Sequence, residues 1–366
     1  MSWQQVKGVL EEEWEDPVEE LFEDFEHHAA AAASIGQVHR ATLPDGRAVA
    51  VKIQYPGVAE ALRADMQNAT MLMRLAKAIA PGLDAKAAAA ELKERVVEEL
   101  DYEYEAQNQR AFALGYRGHP FIHVPDVITR LSRRRVLVTE WVDGVGFDEV
   151  KALPQAEKDR FAEIVFRFCF GSIYHLQHFN ADAHPGNYVL MDDGKVAFLD
   201  FGMTKHLDKE QIELEIAALE AVHDADPERL RVALHDLGFL NHPRKVDAEK
   251  LMAHVLAVGG WYMQDREITI DSALVMESIS AVSDPRSEFF DVVRRENVPA
   301  NELMGRRMEV GVLAVLGQLS ATRNWYAIGR EWWFADEPTT ELGRQERAYF
   351  ESRGERRVRR FSAREG

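Results

Sequence analysis

Three side chains with hard oxygen atoms, Asp182, Asn187 and Asp200, lie close together in the stretch Asn180 to Gly202. Two short apolar runs, Tyr188 to Met191 and Val196 to Leu199, read as strands joined at Asp193-Gly194, a dipeptide favoured in two-residue hairpin turns. Counting outward from that turn sets Asp192 opposite Lys195 and Asn187 opposite Asp200, with Asp182 in the loop just before. Carboxylate and amide oxygens gathered this way suit Mg²⁺, which keeps several waters and binds phosphates through one or two carboxylates.

A second group lies upstream. Ala29 to Val38 is rich in alanine, which by composition alone suits the start of a helix. The following strand pattern, Val38 to Leu43, a Pro44-Asp45-Gly46 turn and Arg47 to Ile53, favours a hairpin instead, with His39 opposite Lys52. Ala31, Ala33, Gly36 and Val38 fall at the intervals of the kinase loop G-x-G-x-x-G-x-V, with alanine replacing two glycines. Val49-Ala50-Val51-Lys52 matches V-A-I-K, and Asp182, Asn187 and Asp200-Phe201-Gly202 match D-x-x-x-x-N and D-F-G. In this order they describe phosphoryl transfer from ATP.

The elements that must position these groups can be read in outline. One helix pattern runs from Val58 to Ala80 and ends at Pro81-Gly82. A second runs from about Ala85 to Phe112 with the apolar stripe Leu92, Val96, Leu100 and Tyr104. On a continuous helix Glu99 and Glu103 flank that stripe while Glu94, Glu98 and Glu105 point away. A carboxylate at the edge would reach Lys52, and the stripe does not choose between Glu99 and Glu103. Pro125 to Leu131 and Arg135 to Thr139 read as a strand pair. It leads into Glu140-Trp141-Val142-Asp143-Gly144, a connector whose backbone, at Glu140 and Val142, is placed to meet adenine. A helix from Pro154 to Phe179 delivers Asp182, and the chain beyond Gly202 is mostly helical.

A chain of 366 residues with a net charge of −18 suits two lobes and argues against a nucleic-acid partner. Cys169 sits in an apolar helical run with no cysteine partner, as in a reducing cytoplasm. No apolar run of about 18 residues is present. Trp332-Trp333-Phe334 reads as core, and the arginine-rich tail offers peripheral contact with an anionic membrane.

The segments Ala31 to His39, Val51 to Val58, Glu99-Leu100-Asp101-Tyr102 and Leu199-Asp200-Phe201-Gly202 resemble the UbiB/AarF (ABC1/ADCK-type) family of atypical protein-kinase-like proteins tied to isoprenoid-quinone biosynthesis. The resemblance implies an α+β, bilobal kinase-like fold: residues 1–143 as the N-lobe, 144–345 as a mostly helical C-lobe and 346–366 as a basic tail. It implies that Ala31, Ala32, Ala33, Ser34, Gly36 and Val38 form the nucleotide loop and that Lys52 contacts the α/β-phosphates, with Glu99 as its partner. Asp182 would then be the catalytic aspartate, Asn187 and Asp200 the Mg²⁺ ligands, and Asp101 a member of the polar cluster. The cofactors implied are ATP (with ADP) and Mg²⁺, and the partners implied are a prenylated phenol or lipid and quinone-biosynthesis enzymes. The family's K-x-G-Q segment has no match at Lys7-Gly8-Val9-Leu10, which puts gating by that segment in doubt. Only Met203 to Leu207 separates D-F-G from the next helix pattern, leaving little room for a peptide platform. ATP hydrolysis or a small lipid-like acceptor is favoured, with a nucleotide-gated scaffold or lipid-presenting protein as the alternative.

Overall fold

The computed structural model describes residues 1–62, 64, 98–284, 286–297, 299 and 302–354. Most of the Val58–Ala80 helix pattern, its Pro81-Gly82 end, the stripe positions Leu92 and Val96 and most of the basic tail lie outside the described residues.

The chain opens with α1 (Trp3–Trp14), capped by Ser2 and Gln5 in a reciprocal box that satisfies the first free N–H groups. A mixed set of short and long strands follows: β1 (Asp24–Phe25), β2 (Ala31–Ala33), β3 (Gly36–Thr42) and β4 (Ala48–Gln54). After α2 (Tyr102–Gly115) come β5 (Ile122–His123) and β6 (Val136–Glu140). The sheet runs β1-β3-β4-β6, with β2 also paired to β3, and all its pairings are antiparallel. Alternation along β4 sends Val49, Val51 and Ile53 to one face, where Val6, Val9, Leu10 and Trp14 of α1 cover them. Lys52 is thereby turned to the opposite face.

The alanine-rich segment is a strand, with Ala31 opposite Val38 and Ala33 opposite Gly36. Gly36 is required by close approach: a Cβ there would stand 2.1 Å from the Ile53 carbonyl oxygen. The hairpin register differs from expectation by one residue, since Val38, not His39, faces Lys52. Leu43 N–H donates to the Arg47 carbonyl and Gly46 N–H to that of Leu43, with Gly46 at φ +83°. The loop is therefore Pro44-Asp45-Gly46, a turn closed by a left-handed glycine, and the extra loop residue shifts every pair outward. Pro125 to Leu131, expected as a strand, makes only an isolated bridge, Val127 to Thr139, beside β6.

In the helical part, after a short helix Phe147–Val150, α3 (Gln155–Phe166) continues through a π-helical turn, Arg167–Gly171, and Ser172–Leu176. It ends earlier than expected, at Gln177 with φ +53°, and passes directly into β7 (His178–Asn180). Then come β8 (Tyr188–Leu190), β9 (Val196–Phe198) and β10 (Thr204–His206). β8 and β9 form a hairpin joined by β5 on the other side of β9, and β10 pairs with β7. The remaining helices used below are α4 (Lys209–His223), α5 (Pro227–Asp236), α6 (Ala248–Met263), α7 (Leu303–Leu319), α8 (Trp325–Trp333) and α9 (Glu341–Ser352). Their core is aromatic: Phe161, Phe166, Phe168, Trp261, Trp325, Trp332 and Trp333 are all buried. Cys169 lies within it, and burial pushes its thiol up to about 12, as suits an inert group. Among the described residues no helix is long and apolar enough to cross a membrane.

Arg167 is fully buried in this core. Its guanidinium reaches Glu163 at 3.0 Å, Glu331 at 2.9 Å and Glu346 at 2.8 Å, joining α3, α8 and α9.

Candidate active site

Lys52 projects from the face of β4 away from α1. Its Nζ lies 2.8 Å from Glu105 Oε1, 3.0 Å from Glu105 Oε2 and 3.0 Å from Asp200 Oδ2. Burial alone would lower the lysine's pKa, but Asp200 and Glu105 outweigh it and hold the ammonium charged. Burial raises Glu105, against the pull of Lys52. Asp200 moves the other way despite its burial, because Lys52 and the Gly202 N–H, at 3.0 Å from Oδ1, favour its carboxylate.

The partner of Lys52 is thus Glu105, not Glu99. The stripe argument assumed one helix through both positions, whereas Asp101 starts a new one. Its carboxylate accepts from the N–H groups of Glu103 at 3.0 Å and Tyr104 at 3.4 Å, as an N-cap does. Angular phase counted from Leu100 therefore does not carry past Asp101, and Glu105, 3% exposed, faces inward. Glu103 is exposed, and Glu99 precedes the cap. The signal was present in the sequence: an aspartate followed by Glu103 and Glu105 in the first turn marks a helix start.

Asp182 and Asn187 meet as well. Asn187 Nδ2 donates to Asp182 Oδ2 at 2.9 Å, and Asp182 Oδ1 accepts from Arg307 Nη2 at 2.8 Å. The hairpin that brings Asn187 toward Asp200 again has the longer loop. Gly194 stands at φ +80°, its N–H donates to Met191, and Leu199 N–H donates to Asn187. Asn187 is therefore level with Leu199, and Asp200 lies one residue beyond. Asn180 ties the two halves: its Oδ1 accepts from the Asp182 N–H at 2.9 Å and its Nδ2 donates to the Asp200 carbonyl at 2.6 Å. Phe201, fully buried between Phe112 and Phe168, holds the backbone that aims Asp200. Asn108 Nδ2 also donates to the Phe201 carbonyl, at 3.3 Å. Sequence reasoning missed Asn180, Asn108 and Arg307. The last sits in α7, far along the chain, where no local pattern links it to Asp182.

Ala31, Ala32 and Ser34 are exposed at the tip beside β3, with Ala33 and Val38 half-buried and Gly36 buried. At the connector, Glu140 N–H donates to the Asp126 carbonyl and Trp141 N–H to that of Ala48, so both backbone positions extend the sheet; Val142 follows. After Gly202 the chain enters β10 and then α4 at Lys209, which confirms a short segment. The Asp200 carboxylate and the Asn187 amide are the hard-oxygen donors that Mg²⁺ prefers, and the ionised state of Asp200 fits a cation.

A small antiparallel sheet over a helical lobe, with a Lys–Glu pair and an Asp–Asn–Asp set between them, defines a protein-kinase-like molecule. The chain belongs to the ABC1 atypical kinase-like family: residues 1–234 match the ABC1 atypical kinase-like domain. It is 33% identical over 272 residues to the mitochondrial atypical kinase COQ8B of Rattus norvegicus, covering 71% of this chain and 51% of that protein. It is 28% identical over 310 residues to the mitochondrial atypical kinase coq-8 of Caenorhabditis elegans, covering 81% of this chain and 41% of the relative. The chain thus spans about half or less of these curated relatives. Among solved structures, Rv3197 of Mycobacterium tuberculosis, in complex with erythromycin, matches with a TM-score of 0.72 and 30% identity, over 94% of this chain and 84% of that one.

Proposed function

We propose that this chain is an atypical kinase or ATPase that binds Mg–ATP between lobes dividing near Asp143 and serves isoprenoid-quinone biosynthesis. The observation that carries the reading is the linked set Lys52–Glu105–Asp200 and Asp182–Asn187, joined through Asn180. Phosphoryl transfer needs chiefly positioning and charge stabilisation, which these residues supply. Lys52 neutralises α/β-phosphate charge, and Glu105 fixes its ammonium. Asn187 and Asp200 hold Mg²⁺, which when bound neutralises phosphate oxygens. Asp182 orients the attacking hydroxyl or water and takes its proton. The alanine strand β2 stands where a glycine loop would, so its Cβ atoms limit how the loop approaches the phosphates.

The short segment between Gly202 and α4 supports water or a small lipid-like acceptor, such as a prenylated phenol, over a peptide. Phosphate release by the full chain with Mg–ATP, with and without prenylated phenols or anionic liposomes, tests this. Turnover that disappears in Asp182→Asn and Asp200→Asn is expected. Tight Mg-nucleotide binding without turnover would instead favour a second reading, a nucleotide-gated binding protein. That reading draws support from the M. tuberculosis relative, whose structure is a complex with a small molecule.

A further inference from the structure

The helical lobe carries a half-open cavity of about 170 Å³ whose lining residues come chiefly from α4, α5, α6 and α7 and from the segment after α3. Among the described residues, the Lys52 cleft contributes none to its lining. Its walls are largely apolar, with Phe170, Leu219, Val258 and Met308 among them. Its size is that of cavities which take up a single aromatic ring.

The charged groups on this lining are unbalanced. Among the described residues, Glu215 of α4, Glu302 just before α7 and Glu309 of α7 share the cavity lining with one arginine, Arg306. Glu302 accepts from Gln211, Glu309 accepts from the Tyr262 hydroxyl, and Arg306 lies 5.3 Å from the Phe239 ring centre. Burial together with Glu302 and Glu309 pushes Glu215 up to about 8, the sign of a carboxyl lacking a compensating positive charge. A further observation is independent of this cluster. His254, 1% exposed, also lines the cavity; its Nε2 is 3.3 Å from Glu296, and its Nδ1 has no partner among the described residues. A buried nitrogen of this kind is costly unless something fills its hydrogen bond.

We propose that this cavity is a second ligand site, for a small apolar molecule carrying a basic amine. The ring or chain packs against the apolar walls, the ammonium sits among Glu215 and its neighbouring carboxylates, and a polar atom of the ligand reaches His254. An ammonium lets Glu215 give up its proton and ionise, a gain that a phosphate or carboxylate does not bring, which separates this site from the nucleotide cleft.

Isothermal titration calorimetry on the full chain with 4-phenylbutylamine and its uncharged counterpart 4-phenylbutan-1-ol tests the assignment. The amine is expected to bind at least about tenfold more tightly than the alcohol. Glu215→Gln, nearly isosteric, removes most of that preference while leaving the alcohol's affinity unchanged. Val258→Phe narrows the cavity and weakens both ligands, with Mg-nucleotide affinity retained as the control for folding. Equal affinities for amine and alcohol in the wild type, an undiminished preference in Glu215→Gln, or no saturable binding of either compound each overturns the proposal. The Glu215→Gln comparison decides the matter even where Val258→Phe fails to fold.

Discussion

Arg307 Nη2 stands 2.8 Å from Asp182 Oδ1, and the two residues are 125 positions apart. With Asn187 on the other oxygen, both oxygens of the carboxylate are engaged. The arginine is more than half exposed, so the pair contributes little to stability, roughly 0–1 kcal/mol. Its effect is on the carboxylate's availability. Arg307→Ala is expected to leave the melting temperature nearly unchanged and to raise basal phosphate release several-fold. A fall in turnover would mark Arg307 as a positioning residue instead.

Lys52 depends on Glu105. Glu105→Gln is expected to weaken ATP affinity at least about tenfold more than Glu99→Gln does, a difference of about 1.4 kcal/mol. Nucleotide titration of both variants measures it, and equal losses would restore Glu99 as the partner.

Alanine at positions 31 and 33 sets how β2 meets the phosphates. Ala31→Gly and Ala33→Gly free the backbone for positive φ and are expected to alter the preference between ATP and ADP. Unaltered ATP and ADP affinities in both variants would refute this.

Arg167 holds three carboxylates in a fully buried cluster. Arg167→Met removes the cation and leaves Glu331 and Glu346 without their arginine, while Glu163 keeps Arg323 at 3.0 Å; this is expected to cost about 3–5 kcal/mol, read by chemical denaturation. A loss below about 1 kcal/mol would show that the glutamates take up protons or water at little cost.

Glu215 should leave a pH signature. Its folded pKa, about 8, lies above the unfolded carboxyl range. Between those values the folded state keeps a proton that the unfolded state has lost, so this group's contribution falls as pH rises. The groups facing it across the cavity are Glu302, Glu309, Arg306, His254 and Tyr262, and Gln in its place leaves them unchanged. Glu215→Gln is therefore expected to gain stability relative to wild type from about pH 5 to pH 8, as measured by thermal unfolding. A constant difference across that range would contradict it.

Local patterns carried much of the site. Alternation in Ala48–Gln54 put Lys52 opposite Val49 and Val51, and the apolar runs around Asp193-Gly194 marked the hairpin that ends near Asp200. Both hairpins were nevertheless misregistered by one residue, and for the same reason. Each turn takes a third residue and closes on a left-handed glycine, Gly46 or Gly194, a choice that the Asp-Gly dipeptide alone does not reveal. Glu105 was missed because a stripe counted from Leu92 ignored the cap at Asp101.

By itself the sequence determined the kinase-like order of motifs, the strand that bears Lys52, the Asp182, Asn187 and Asp200 set and the short segment after Gly202. These are local: spacing and period dictate them within a few turns or strands of chain. Only the tertiary structure decided that Glu105 meets Lys52, that Asn180 links the two loops, that Arg307 grips Asp182 and that Glu215, Glu302 and Glu309 gather around one cavity. Such contacts join side chains that become neighbours only once the strands and helices of each lobe have packed. Burial then sets their charges, a property that no spacing along the chain encodes.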